Sequence, residues 1–203
     1  MKQIVSAIAL CALFGCTAAA QDAASPATHP PMTAEEQAGM EAWMKASTPG
    51  DPHEALAPMI GNWDVVVRMW HTPDSPMIEE KGTVENRWIL GGRWVEQKFS
   101  ASVMGQPFEG LGHVGYDNMK GTYVATWKDT MSTGVMTSKG KADADGKAFR
   151  FSGLMADPIS GKDLPIDDEM RVVTPDRLEA TMWTTGPDGK RFKSMEFIYT
   201  RRR

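Results

Sequence analysis

GLGHVGYDNMKGTYVATWKD, residues 110–129, decides the fold. Gly110, Gly112 and Gly115 stand at the G-x-G-x-x-G spacing of a dinucleotide-binding turn. Asp129 follows about where such a unit places the carboxylate that holds a ribose. That chemistry needs a strand before the glycines and a helix after them, because the pyrophosphate rests on amides at the helix N-terminus. Here Gly115 leads into Tyr116-Asp117-Asn118-Met119-Lys120-Gly121, a turn sequence. Thr122-Tyr123-Val124-Ala125-Thr126-Trp127 then continues with β-branched and aromatic residues. The stretch is a β-hairpin, and no cofactor is expected from it. Gly110 and Gly112 share one parity of their strand, so one face there carries no side chains. Glycines so placed relieve crowding at a bend or admit a ring or ligand close to the backbone. If that face looks inward, His113 looks outward; in the opposite orientation His113 enters the interior.

The same alternation of short β-rich runs and turn clusters extends over the whole chain from Gly61 onward. It predicts strands at 62–71, 78–89, 93–103, 107–116, 122–130, 133–142, 147–155, 167–174, 177–185 and 190–201. Gly91-Gly92, Asp117-Asn118, Asp145-Gly146, Pro175-Asp176 and Asp188-Gly189 separate them. The connections are too short for crossover helices, so the class is all-β: an antiparallel up-and-down meander of about ten strands. Closure into a barrel removes its edges.

The segment before it is of another kind. Lys2 and the apolar run Ile4–Gly15 make residues 1–20 a signal peptide, too short for a membrane span. Two cuts compete: a lipobox-like cut before Cys16, which would lipidate that cysteine, and a secretory cut after Ala20. Either sends the chain to the bacterial cell envelope, lipid-anchored or secreted to the periplasm, with a membrane contact only through the anchor. Cys11 and Cys16 are the only cysteines, so the body of the protein must hold together through its core without disulfides. Residues 21–32 are a flexible tether of small and polar residues. The domain proper spans 33–203. Thr33-Ala34-Glu35-Glu36 is a capping box opening a helix with Met40, Trp43 and Met44 on one face, and a short second helix spans about 53–57. The formal net charge is −4, with no basic stripe, which argues against nucleic acid as a partner.

Gly61-Asn62-Trp63, at the start of the first strand, resembles the opening G-x-W of calycins, the lipocalin-like barrels. More closely, the chain resembles a bacterial family of unknown function with a calycin-like barrel. The likeness runs through GNW at 61–63, ILGGRWVEQ at 89–97, the glycine stretch to Asp117, Trp127-Lys128-Asp129 and YTR at 199–201. It implies that Trp63 plugs one end under Arg201, that Gly61 belongs to the same motif and that Asp117 forms a turn. It implies no activity.

Chemistry is harder to locate. No pair of His29, His53, His71 and His113 has metal-ligand spacing, and no metal is expected. Methionines are scattered one per strand or turn, among them Met69, Met77, Met104, Met136 and Met170, a pattern of pliable lining rather than a copper cluster. With them, Trp88, Trp127, Phe149, Phe151, Met155, Met182, Trp183 and Tyr199 are the residues expected to line a pocket. Asp163, Asp167, Asp168 and Glu169 form an acidic cluster expected at a loop entering a late strand. Three functions stay open. The first is a barrel binding a small apolar or amphipathic molecule, its mouth shielded by the Met40/Trp43/Met44 helix. The second is an enzyme using His113 with a nearby carboxylate or Tyr116. The third is a solid-core structural or interaction module.

Overall fold

A computed structural model describes residues 31–203 apart from Met104, Ile159 and Pro187. The signal segment, Cys16 and most of the tether lie outside the described residues. Ten antiparallel strands follow one another around a closed barrel in chain order: β1 (Gly61–Met69), β2 (Ile78–Ile89), β3 (Trp94–Val103), β4 (Gln106–Asp117), β5 (Thr122–Asp129), β6 (Met136–Ala142), β7 (Ala148–Asp157), β8 (Lys162–Thr174), β9 (Arg177–Thr185) and β10 (Arg191–Arg201). β1 pairs with β10 over Trp63↔Arg201 to Met69↔Met195, which seals the meander and leaves no open edge.

All ten expected strands form, most within a residue or two of their expected ends. β6 starts three residues late at Met136, and β8 departs most, starting five residues early at Lys162. Residues 162–165 pair only with β7, since the β8–β9 ladder begins at Ile166↔Thr184. The β7–β8 hairpin therefore projects past its neighbours, and Pro165, with no amide hydrogen to donate, sits where one side needs no partner. Of the acidic cluster expected around the loop that enters this strand, Asp163 is strand as well, and alternation splits the four residues between two faces.

Ahead of the barrel, α1 (Ala34–Ser47) opens on the expected capping box. The Thr33 hydroxyl accepts from the Glu36 amide at 3.2 Å, and the Glu36 carboxylate accepts from the Thr33 amide at 2.8 Å. These bonds hold the Glu36 carboxyl below its ordinary value. α2 (Asp51–Glu54) begins two residues before its expected start, with Pro52 in its first turn, and a 3-10 turn spans Ala57–Met59. The expected shielding of the mouth by α1 does not occur. Asn118, in the β4–β5 turn, donates to the carbonyls of Ala46 at 3.1 Å and Thr48 at 2.8 Å, which holds the helix C-terminus at the opposite, closed end. No residue of α1 is buried, and Trp43 is 74% exposed.

That closed end is a plug built from the resemblance motif. Trp63 is fully buried, and its indole Nε1 donates to the Met59 carbonyl at 2.9 Å. The Arg201 guanidinium lies 4.1 Å over the Trp63 ring. Its nitrogens donate to the carbonyls of Ile60 (2.7 Å), Pro175 (2.9 Å) and Pro58 (3.1 Å), tying the 3-10 turn and the β8–β9 turn to the last strand. Gly61 is required beneath it: its φ is +129°, and a Cβ there would collide with Arg201 Nη1. Asp117 forms its turn by accepting from the Met119 and Lys120 amides. Arg201→Ala should lower stability by about 2–3 kcal/mol in urea titration, since it removes a cation–π contact and leaves three carbonyls without their charged donor. A loss below roughly 0.5 kcal/mol would mean that the plug does not depend on the arginine.

Candidate functional site

Register shows which side chains enter the barrel. Val95↔Val114, Gln97↔Gly112, Phe99↔Gly110 and Ala101↔Phe108 are paired across β3 and β4, and Phe99 and Val95 are buried. Gly110 and Gly112 therefore face inward, and the space they leave is filled by Trp127. A Cβ on Gly110 would collide with Trp127 Cζ2, and one on Gly112 would meet Cε3 at 3.1 Å. The indole lies flat on the cleared backbone, with its Nε1 donating to Asp129 Oδ2 at 2.8 Å. Asp129, which the nucleotide pattern would have set on a ribose, thus orients a tryptophan.

The interior is not filled. A cavity of about 370 Å³ lies above the plug and opens away from it. Met69, Met136, Met155, Met170, Met182 and Met195, one from each of six strands, contribute to its lining. Rings add the rest: Phe99, Phe108, Trp127 and Phe151 on one arc, Phe197 and Tyr199 on another, the last two stacked with centroids 6.2 Å apart. A wall of thioethers and ring faces suits an apolar guest of variable shape.

Of the residues singled out in the sequence, Trp127, Phe151, Met155, Met182 and Tyr199 line this cavity. Three do not. Trp88 packs against the buried core without reaching the cavity. Phe149 is fully buried, edge-on to Tyr123 at 5.2 Å. Trp183 lies on the outer face with the Arg191 guanidinium 4.5 Å over its ring. Its neighbours Met182 and Thr184 have the inward parity of β9, and Trp183 falls between them.

His113 points outward, as the inward glycines require. It stands 3.7 Å from Glu96 and 3.5 Å from the Lys128 ammonium nitrogen. Glu96 is held by Arg87 at 2.7 Å, and that bond keeps its carboxyl below the usual range, so it makes a poor base. Tyr116 has the opposite parity and packs inside at the closed end, 4.9 Å from Tyr123 and 5.9 Å from His53. His113 and Tyr116 therefore share no site, and the histidine belongs to a surface ion cluster.

Sequence reasoning missed the polar groups of the interior. Asp168 pairs with Phe151 on one side and Met182 on the other, both cavity residues. Among the described residues no hydrogen bond or ion pair reaches it, and burial, with Asp167 adding repulsion, raises its pKa to about 7. Burial, and then the charge of Asp168, holds the Tyr199 phenol above its ordinary value. Asn86 donates to the Met59 carbonyl at 2.9 Å, but its buried Oδ1 accepts from none of the described residues. Alternation along β8 could have found Asp168: Ile166, two residues earlier, is buried, so Asp168 shares its face.

Outside the closed end, a shallow depression bordered by Asp64, Asp176 and Arg201–Arg203 is occupied by their own ion pairs: Arg202–Asp64 at 3.4 Å, Arg201–Asp176 at 3.5 Å and Arg203–Asp176 at 3.5 Å.

Gly110→Ala should cost about 1–3 kcal/mol in the native background and much less beside Trp127→Leu, because the penalty is the clash with that ring. Equal costs in both backgrounds would show that Trp127 is not what the glycine accommodates. For Asp168, the folded pKa of about 7 exceeds the ordinary value near 3.9, so the folded protein binds that proton more tightly than the unfolded chain. Its contribution to stability is greatest in acid and declines as pH rises from about 4 to 7. Asp168→Asn should therefore exceed the native protein in stability by about 1–3 kcal/mol near pH 8, an advantage that shrinks toward pH 4. A constant difference across that range in paired urea titrations would contradict the buried-carboxyl account.

The crystal structure of Rv2717c from M. tuberculosis matches with 14% identity and a TM-score of 0.60, covering 77% of this chain and 100% of that one. A redesigned β-barrel, b11L5F_LGL, matches at 13% identity and a TM-score of 0.38, over 73% of this chain and 96% of that one. A de novo designed fluorescence-activating β-barrel matches at 18% identity and a TM-score of 0.39, over 73% of this chain and 97% of that one. At such identities the likeness to Rv2717c concerns the fold alone. Among curated proteins none matches the chain. A family model described as a protein of unknown function, DUF1579, matches residues 48–201, and the chain belongs to that family.

Proposed function

We propose that this barrel binds a small apolar or amphipathic molecule in its interior and does so in the bacterial cell envelope. The observation that carries the proposal is the cavity of about 370 Å³, walled by methionines and aromatic rings and stoppered at one end by Trp63. Cavities from about 300 Å³ upward, mostly apolar with a few polar groups, are the usual shape of small-molecule sites. The stopper makes the binding one-ended: a guest enters past the β7–β8 hairpin and stops above Met59 and Tyr199.

Residue 125 offers a clean test, because Ala125 lines the cavity with a small side chain. N-phenyl-1-naphthylamine, a neutral fluorophore that brightens in apolar surroundings, should bind the native protein in saturable fashion. Ala125→Phe should weaken it at least about tenfold, while filling void costs stability only about 1 kcal/mol. Saturable binding that the phenylalanine leaves unchanged would place the probe elsewhere and count against the cavity.

The envelope assignment rests on the signal segment and on Cys16. Lipid anchoring there makes Cys16→Ser lose incorporation of labelled fatty acid and leave the membrane fraction. Unchanged fractionation would indicate cleavage after Ala20 and simple secretion.

A further inference from the structure

The charged side chains turned into the cavity are of one sign, while Asn86, Gln97 and Ser138 supply neutral polar groups and His113, which also borders it, turns outward to Glu96. Glu80, Asp129 and Asp168 all line it, and no Lys or Arg is among the described residues that do. Glu169 also borders the cavity, but its carboxylate turns to Arg150 at 2.8 Å and Arg171 at 2.9 Å on the outer face. Asp129 already accepts from the Trp127 indole and from the Met131 amide at 2.9 Å. Asp168 differs: its strand neighbour Asp167 points outward to Ser152 (2.7 Å) and Arg191 (3.0 Å), whereas Asp168 points inward and makes no hydrogen bond or ion pair with the described residues. Asn86 Oδ1 is a second interior acceptor with no donor among the described residues. A half-buried carboxylate facing an apolar cavity without a cation beside it is costly, and both groups are free to accept from an N–H or O–H of a guest.

We infer that the guest is a small apolar amine bound as its ammonium ion, with the charged nitrogen on Asp168 and the hydrocarbon against the methionine and aromatic wall. This rests on the apolar-cavity reading and narrows it to one ligand class. An ammonium supplies positive charge and up to three donors, which suits a carboxylate in low dielectric. Phe151, paired with Asp168, and the stacked Phe197 and Tyr199 provide ring faces that attract a cation. Fatty acids and other amphiphilic anions are disfavoured for the same reason, because a carboxylate would meet Asp168, a group of its own sign with no cation of the described residues beside it. The raised pKa of Asp168 agrees with this, since burial and then the charge of Asp167 favour its protonated form, and a cation beside it would oppose both.

Calorimetric titration near pH 8 with octylamine, 1-octanol and octanoate, three guests of one chain length, tests the inference. The amine should bind at least about tenfold more tightly than the alcohol, and octanoate more weakly than either. Asp168→Asn, close in shape to the native residue, should reduce the amine to the alcohol's affinity without weakening the alcohol, and Asp168→Glu should retain a preference for the amine. Equal binding of amine and alcohol by the native protein would overturn the inference. So would an amine preference that survives in Asp168→Asn, or failure of octylamine to bind a protein that still takes up N-phenyl-1-naphthylamine. Failure of that fluorophore as well would defeat the apolar-cavity reading itself, and the amine with it.

Discussion

The Arg201 guanidinium over the Trp63 ring is the contact on which the rest of the barrel depends. It joins the first strand to the last at the residue pair where their ladder begins, and its three hydrogen bonds gather the 3-10 turn and the β8–β9 turn around one indole. A ten-strand barrel is wide enough that side chains need not fill its middle. One end must then be blocked if the other is to serve as a mouth. Trp63 with Leu56, Met59 and Phe149 forms the block, and the cavity begins where their packing stops.

Above the plug, the wall is arranged around ring-on-backbone contacts. Gly110 and Gly112 let Trp127 lie against β4 instead of standing into the lumen. Further along the same arc, Gly140 faces the Arg150 carbonyl and Phe151, whose Cδ1 would be 2.7 Å from an added Cβ. Large aromatics thus line the cavity without crossing it. A barrel with alanine at those glycines would have to turn the same rings inward and lose its volume. Stability and capacity are therefore coupled through the same residues.

Most of the fold was legible in the sequence because its signals are local. Period-two alternation and Gly/Asp/Asn turns mark all ten strands, and the helix missing after Gly115 disposes of the nucleotide pattern. The parity of Gly110 and Gly112 posed the right question about His113, and register then answered it. The site was legible only in part. Trp183 is as aromatic as Trp127, yet one residue of parity sends it outside. Trp88 and Phe149 belong to the floor, a distinction that depends on depth along the barrel and leaves no mark in a single strand's pattern. Asp168 was hidden among Asp163, Asp167 and Glu169, an acidic cluster of the kind that usually marks a solvated loop. Whether such a carboxyl is solvated or buried depends on pairing with β7 and β9, which is a long-range fact. The apolar face of α1 shows the converse, a helical pattern with no core beneath it.

The central claim is that this closed, one-ended barrel is hollow in order to hold a guest. Native mass spectrometry of the protein purified without detergent from its own host addresses it most directly. The account predicts a non-covalent adduct of one small molecule per chain, absent from the Ala125→Phe protein prepared in the same way. A bare polypeptide mass in repeated preparations, or an adduct that persists when the cavity is filled, would contradict it.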